Sequence, residues 1–345
     1  MRVLIVKRDK IGDLLLTTPI LAHLAAELPC AEIHLLANDY NAWVVEAHPA
    51  LTRLWVYPRV RHAGRLRPVA ALAHLPLAWK LRRARFDWAI AMGGEESPRA
   101  VRRAIASGAR RVVAYAADPA RYGAGLTDPL PIPTGGHEIA RMTALLAPLG
   151  IAVAGPAAAP VYRWPADGEA FARRWLAANG LARGGYIVLG IGARFACKQP
   201  TVEQIVRWSA RFHARWRLST VFLWTPGPVD GPLYRGDDAI AARVAASGLA
   251  HVHPHRGTLA QAVALIANAR TTIMPDSGLM HFAAASAGGV LGLFADPLEA
   301  GAAERWAPVG PRARYLETPN SVAELSDDAV VAALDALIAD SPVAA

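Results

Sequence analysis

Thr271-Thr-Ile-Met-Pro-Asp-Ser-Gly-Leu-Met-His281, continued by Phe282-Ala-Ala-Ala285, passes from a short apolar run through a turn into an apolar helical stretch. Thr271–Met274 reads as a strand buried on both faces, because an uninterrupted β-branched and aliphatic run offers water no polar side. A helix near Leu279–Ala287 follows, and Val290–Phe294 is a second buried run. Strand, helix and strand in close succession make a βαβ unit, which needs a parallel sheet. In such sheets ligands gather outside the carboxyl ends of the strands. Ser277 and Gly278 fall at the helix start, where unpaired N–H groups and the positive dipole end favour an anion. His281 lies one turn further on the same side. Backbone donors, a hydroxyl and an imidazole then converge on a site suited to a diphosphate. Asp276 as a helix cap above a buried His281 is the plainer alternative. The grouping of Ser, Gly and His directly after a strand favours the anion site.

The same alternation extends outward in both directions. Tyr186–Ile191 and Thr220–Trp224 read as buried strands. Thr201-Val-Glu-Gln204 and Thr258-Leu-Ala-Gln261 are capping boxes that open helices, and Ser321-Val-Ala-Glu324 is read as the cap of a last amphipathic helix. Val3–Val6, Ile33–Ala37, Phe86–Met92 and Arg111–Tyr115 form an earlier series of buried runs. Lys7–Asp13 reads as a polar loop, followed by a helical stretch to Leu28. Pro19 within that stretch either kinks the helix or is its first residue behind a Thr18 cap. Ala, Pro and Gly dominate Ala152–Pro160, which reads as a linker. The expected architecture is α/β, with two Rossmann-like domains at 1–155 and 156–345. The last helix is free to pack back on the first domain.

The chain has 345 residues, 53% of them hydrophobic, enough for two cores. Its 37 Lys and Arg exceed its 28 Asp and Glu, and only Lys7, Lys10, Lys80 and Lys198 are lysines. Arginine forks suit bidentate contact with phosphate and carboxylate. The basic balance fits an acidic partner, but the arginines are dispersed and no nucleic-acid motif accompanies them. Cys30 and Cys197 supply neither a disulfide framework nor a CxxC metal spacing. The apolar run at the N-terminus is too short for a signal-peptide core, and no stretch approaches the ~20 apolar residues of a spanning helix. A cytoplasmic chain is expected, with the inner face of the cytoplasmic membrane as a surface it can rest on.

Four further segments carry candidate chemistry. Gly12-Asp13 follows the first strand; Gly12 lets backbone come close, and Asp13 is either a general base or a helix cap. Gly192-Ala-Arg-Phe-Ala-Cys-Lys198 follows the Tyr186 strand. Gly190-Ile-Gly192 begins like a dinucleotide fingerprint, but Phe195 replaces its third glycine, so no nicotinamide site is expected. Lys198 can place a point charge on a phosphate or be a solvated loop charge. Arg59, Arg61, Arg65 and Arg67 have no helical or strand period and read as a basic loop, either for an acidic acceptor or simply solvated. His251-Val-His-Pro-His255 has alternate imidazoles, but Pro254 and the short spacing argue for a strand-end loop over a metal set.

Taken together these segments resemble the ADP-heptose lipopolysaccharide heptosyltransferases of glycosyltransferase family 9. The shared marks include Gly12-Asp13-Leu14 with Thr17-Thr18-Pro19, His137-Glu138 with Leu145–Gly150, Gly192-Ala193-Arg194 with Lys198, Gly257-Thr258-Leu259 and Asp276–His281. The resemblance implies a GT-B fold with two parallel sheets facing a central cleft. It implies an inverting transfer from ADP-heptose to an anionic, lipid-linked lipopolysaccharide core, with no metal and no cofactor. It makes Asp13 the base. Lys198 would neutralise the leaving diphosphate, Asp276 would hold the donor sugar, and Ser277, Gly278 and His281 the phosphates. Gly192 and Arg194 join the donor site, and Gly12, Arg59, Arg61 and Arg65 the acceptor site. Departures stand at Gln199, where the family prefers an aromatic, at Met92-Gly93-Gly94-Glu95, and at Ala295-Asp296-Pro297. Asp230 and Asp237 are candidates for the ribose-binding acid. Alternatives are a transferase of the same build for another nucleotide sugar and glycan, and a GT-B binding protein without catalysis.

Overall fold

The computed structural model describes residues 1–8, 10–62, 65–66, 72–152, 157–231, 235–295, 302–339 and 341–342. The chain divides into two compact units, Met1–Arg163 and Trp164–Ala345. The first contains β1 (Arg2–Val6), α1 (Ile11–Leu15), α2 (Thr18–Glu27), β2 (Glu32–Asn38) and β3 (Arg53–Tyr57). A two-stranded hairpin of β4 (Arg61–His62) and β5 (Arg65–Leu66) follows. Then come α3 (His74–Arg83), β6 (Trp88–Ala91), α4 (Pro98–Ala106), β7 (Arg111–Tyr115), β8 (Asp128–Leu130) and α5 (Glu138–Ala144). The six long-range strands lie in the order β3-β2-β1-β6-β7-β8, all parallel.

The second unit repeats this plan. It holds α6 (Ala166–Ala178), β9 (Tyr186–Gly190), α7 (Val202–Trp216), β10 (Ser219–Leu223), α8 (Asp238–Ala245) and β11 (Val252–His255). It continues with α9 (Leu259–Ala267), β12 (Thr271–Pro275), α10 (Gly278–Ala284), β13 (Val290–Ala295), α11 (Ala302–Trp306), β14 (Ala313–Thr318) and α12 (Asp327–Ala339). Its strand order is β11-β10-β9-β12-β13-β14, again all parallel. Each sheet therefore reverses its winding once, between β1 and β6 in the first unit and between β9 and β12 in the second. These reversals are where an open α/β sheet leaves room for a ligand above its strand ends.

The two-sided burial of the central strands explains their unbroken apolar sequences. In β9, Ile187 and Leu189 join a core with Trp208 and Phe212 of α7, while Tyr186 and Val188 join a second core with Leu265 and Ile266 of α9. Helix α12 contributes Val330, Leu334 and Leu337 to the same core as α7. Two repeats of one contact tie these helices together. Asp327 accepts from the Trp208 indole at 2.8 Å and pairs with Arg207, and Asp335 accepts from the Trp216 indole at 3.2 Å and pairs with Arg215. The arginines hold both carboxyls below the usual range.

Several local expectations change. The loop after β1 is shorter than expected: α1 begins at Ile11, so Asp13 sits in a first helical turn. The stretch to Leu28 is two helices, with Thr17 as the cap of α2 and Pro19 in its first turn, where a missing N–H costs nothing. Arg61 and Arg65 lie on the β4–β5 hairpin and not in a structureless loop. Val252–His255 is a strand, and Pro254 is tolerated because β11 is at the sheet edge. Ser321 opens a short 3₁₀ turn at Val322–Glu324, and the last helix starts later, at Asp327. The capping boxes at Thr201 and Thr258 form as read, each with both reciprocal bonds.

Candidate functional site

In the second unit the loops after β9 and β12 flank the point where the strand order reverses, and they are joined directly. Lys198 Nζ lies 2.6 Å from Asp276 Oδ2, with the side chains 11% and 18% exposed. Lys198 ends a 3₁₀ turn at Ala196–Lys198, and Asp276 directly follows β12, its N–H donating to the Leu293 carbonyl of β13. Two residues 78 positions apart thus form a partly buried ion pair above the strand ends. Such a pair presents a cation and a carboxylate to the same space.

Next to Asp276, Ser277 caps α10 in an extended conformation without using its side chain. Its Oγ is buried and has no hydrogen-bond partner among the described residues. A buried hydroxyl left without a partner costs about 1–3 kcal/mol, so a ligand that accepts from it recovers that penalty. Gly278 is the first residue of α10, and His281, one turn along, is buried. The helix is only seven residues long, so its dipole adds little beyond the N–H groups of its first turn. Arg194 is exposed on the β9 loop with its guanidinium 5.4 Å from the Phe195 ring centroid.

The glycines of this loop have packing reasons. A Cβ at Gly190 would collide with Met274 of β12, and one at Gly192 would crowd Thr225 Oγ1. Contacts with Met274 and Thr225 thus require glycine at both positions, independently of any ligand.

Gln199 turns out to be a brace. Its Nε2 donates to the Ile191 carbonyl and to Asp237 Oδ1, each at 2.9 Å. Asp237 Oδ2 accepts from the Thr225 N–H at 3.2 Å. Asp237 is fully buried, and burial pushes its carboxyl up from the ordinary range. Both its oxygens are occupied inside the fold, which removes it as a ribose ligand; Asp230, the other candidate, is exposed. Gln199→Leu is expected to take this donor from the Ile191 carbonyl and from Asp237 Oδ1 and to lower stability by about 1–3 kcal/mol, read by urea unfolding. An unchanged unfolding midpoint would show that the brace carries no weight. The raised folded pKa of Asp237 means a stability contribution present below its unfolded pKa and lost as pH rises through the folded value. Asp237→Asn should flatten that segment of the pH profile.

In the first unit the loops after β1 and β6 flank the corresponding reversal. Asp13 Oδ2 accepts from the Lys10 N–H at 3.0 Å, and the Asp13 carbonyl accepts from Thr17 Oγ1 at 3.1 Å. The carboxylate therefore does cap its helix, and it is half-exposed as well. Gly12 is buried beside it. Sequence reading gives no role to three further groups, although Glu138 stands among the family marks. Lys7 is 1% exposed, with Nζ 3.4 Å from Met142 Sδ. Glu138 is buried at the start of α5 and accepts from the Gly94 N–H at 2.8 Å. A Cβ at Gly94 would collide with that carboxylate, so the Gly93-Gly94 loop is the seat of Glu138. Tyr115 donates from its hydroxyl to the Arg141 carbonyl, and burial together with the nearby Glu138 charge pushes it up to about 12.

The arginine cluster is only partly described. Arg59 is held by Asp39, Nε to Oδ1 at 3.0 Å, and lies 4.6 Å from the Tyr40 ring centroid. The side chains of Arg61 and Arg65 lie outside the described residues, as do Arg67 and Asp296-Pro297. The three histidines near β11 diverge: His251 stacks on His213 at 4.4 Å, while His255 packs edge-on against Trp175. Among the described residues no group of three or more His, Cys, Asp or Glu is gathered as a metal set.

The family model for glycosyltransferase family 9 (heptosyltransferase) matches residues 75–327. No curated protein matches the chain in sequence. Among solved structures, a glycosyl transferase family 9 protein from Veillonella parvula is similar, with TM-score 0.80 and 18% identity over 99% of this chain and 98% of that one. The E. coli ADP-heptose LPS heptosyltransferase II follows at TM-score 0.76 and 17% identity, covering 98% and 99%. E. coli heptosyltransferase WaaC with ADP has TM-score 0.72 and 21% identity, covering 98% and 100%. At these identities the likeness establishes the fold, two Rossmann-like units of the GT-B type.

Proposed function

Because the chain belongs to glycosyltransferase family 9 (heptosyltransferase), we propose that it is an inverting transferase moving a heptose-type sugar from ADP-heptose to an anionic lipopolysaccharide-core acceptor. The observation that carries the donor assignment is the Lys198–Asp276 pair above the β9–β12 reversal, beside the unpartnered Ser277 hydroxyl. Similar structures carry ADP and ADP-2-deoxy-2-fluoro heptose, which supports an adenine nucleotide sugar here. Lys198 meets the charge that develops on the diphosphate as the anomeric bond breaks. Ser277 Oγ, the first N–H groups of α10 and His281 hydrogen-bond its oxygens, and Asp276 accepts from hydroxyls of the sugar while orienting Lys198. Gly192 and Arg194 line the same loop. On the acceptor, Asp13 takes the proton of the attacking hydroxyl as its oxygen bonds to the anomeric carbon from the face opposite the leaving ADP. Attack from that face inverts the anomeric centre.

A thermal-shift panel of ADP-, UDP- and GDP-sugars tests the donor. A ligand at ~100 times its dissociation constant stabilises by roughly 2.7 kcal/mol, so ADP-heptose should raise the melting temperature clearly. A shift with UDP- or GDP-sugars and none with ADP-heptose would reject the assignment.

The cation and hydrogen-bond donors at this site supply what a divalent metal supplies elsewhere, and transfer is proposed to be metal-independent. Chelator-treated protein should retain its ADP-heptose turnover; activity lost to EDTA and restored by magnesium or manganese would be the contrary result.

The basic hairpin, with Arg59 beside it, is assigned to the acid groups of the acceptor, and Gly12 to the backbone facing them. Arg61→Ala with Arg65→Ala should raise the acceptor KM and shrink its salt dependence, since salt screens the attraction between an arginine and an acidic acceptor. An equal loss of nucleotide affinity would move these arginines to the donor side.

A further inference from the structure

Helix α3 is apolar on two opposite faces. Its inward face is accounted for. Leu81 is buried and Leu77 packs beside it in the first unit's core, and His74 Nε2 lies 2.9 Å from the Pro58 carbonyl and its ring against Tyr57. The outward face carries Leu75 and Trp79, 71% and 58% exposed, and Leu72 just ahead of the helix is 66% exposed. These three are spaced three and four residues apart, so they form one stripe along the helix. Large apolar side chains exposed together are unusual on a soluble surface, whereas scattered single ones are ordinary.

The segment that carries this stripe holds charge of one sign only. From Arg59 through Phe86 the sequence contains eight Lys or Arg and no Asp or Glu. On α3 itself Lys80, Arg82 and Arg83 are exposed, and the Arg83 guanidinium lies 4.6 Å from the Trp79 ring centroid. Arg82 also donates from Nε to the Ala106 carbonyl, which joins the end of α3 to the end of α4. Exposed Arg99 and Arg102 on α4 extend the basic surface.

We propose that the outward face of α3 is a docking surface for an anionic lipid bilayer. Leu72, Leu75 and Trp79 enter the headgroup boundary, and Lys80 and Arg83 pair with lipid phosphates. A tryptophan flanked by cations is the side chain best suited to that boundary, because its ring is apolar and its N–H can stay wet. A bilayer fits better than a protein partner because Lys80, Arg82 and Arg83, exposed beside the stripe, have no acidic counterpart on the helix. Lipid phosphates attract a polybasic segment without fixed pairing, each cation near the surface being worth enough to raise binding several-fold. The inward contacts of His74, Leu77 and Leu81 hold the helix on the domain, so docking needs no refolding.

Co-sedimentation with lipid vesicles reads this binding apart from the transfer reaction, so its failure leaves the assigned activity untouched. The full chain should bind vesicles containing about 30 mol% phosphatidylglycerol at least tenfold more than pure phosphatidylcholine, with binding that falls as salt rises. Leu75→Ser with Trp79→Ser should remove most of it. Lys80→Ser with Arg83→Ser should reduce it by about thirty-fold and flatten the salt dependence. Both pairs are exposed, so melting curves should match wild type and confirm folding. Equal binding to both vesicle types, or unchanged binding by the variants, would overturn the proposal. So would concentration-dependent dimerisation in sedimentation equilibrium that Leu75→Ser and Trp79→Ser abolish, since the stripe would then be covered by a second copy.

Discussion

Asp13→Asn is expected to lower kcat about 100- to 10,000-fold while leaving donor affinity within a few-fold. The size follows from the chemistry. An acceptor hydroxyl is a poor nucleophile until a base takes its proton, and a positioned base typically supplies that range. The structure makes asparagine the informative replacement. Asp13 already accepts from the Lys10 N–H, so it caps α1 whatever else it does. Asparagine keeps an oxygen for that bond and keeps the side-chain volume, but it cannot accept a proton at neutral pH. Asp13→Ala, by contrast, removes base and cap together. It should lower stability by about 1 kcal/mol besides abolishing turnover, and comparison of the two separates the roles. Steady-state rates with ADP-heptose and an authentic acceptor give kcat, and calorimetry with ADP gives donor affinity. Turnover by Asp13→Asn within a few-fold of wild type would reduce Asp13 to its capping role.

The readings that stand in the structure are those whose cause is local in the chain. The capping boxes at Thr201 and Thr258 need only three residues between partners, and both form. The two-sided burial of β1, β9, β12 and β13 is written as continuous apolar runs, and their parallel pairing follows. Edge strands are harder to read. β14 is Ala-Arg-Tyr-Leu-Glu-Thr, half solvated along its length, and β11 carries a proline that only an edge admits. The site divides in the same way. The placement of Ser277, Gly278 and His281 at one helix start needs only a single turn of chain, and the sequence shows it. The Gln199–Asp237 brace and the Glu138–Gly94 seat join positions 38 and 44 residues apart. No spacing rule connects them, so Gln199 reads from sequence as a departure and in the fold as a fastening. A glycine pair could have hinted at the Gly94 seat, because a backbone that must clear a buried carboxylate admits no side chain.

Lys198→Ala is expected to cost about 100- to 1,000-fold in kcat/KM for the donor, the range seen when one preorganised charge stabiliser is removed from a transition state. The ion pair makes the prediction more specific than loss of a cation. With Lys198 gone, Asp276 is a mostly buried carboxylate without its partner, facing the same space as the incoming diphosphate. The variant therefore removes an attraction and uncovers a repulsion. Asp276→Asn alone frees Lys198 from its pairing but loses an acceptor for the sugar hydroxyls. In the double variant the uncovered charge is absent, so Lys198→Ala should cost less in the Asp276→Asn background than in wild type. Lys198→Arg should restore only part of the activity, because a planar fork cannot occupy the position of a compact ammonium held 2.6 Å from one oxygen. The apparent stability of the unliganded protein should fall only modestly, since both groups keep some contact with water and the pair is screened accordingly. Kinetics of the four proteins in the cycle decide the matter. Strict additivity of the two substitutions would mean that the pair seen in the unliganded fold is not retained when the donor is bound. A kcat/KM for Lys198→Ala within a few-fold of wild type would mean that the leaving diphosphate is neutralised by other groups.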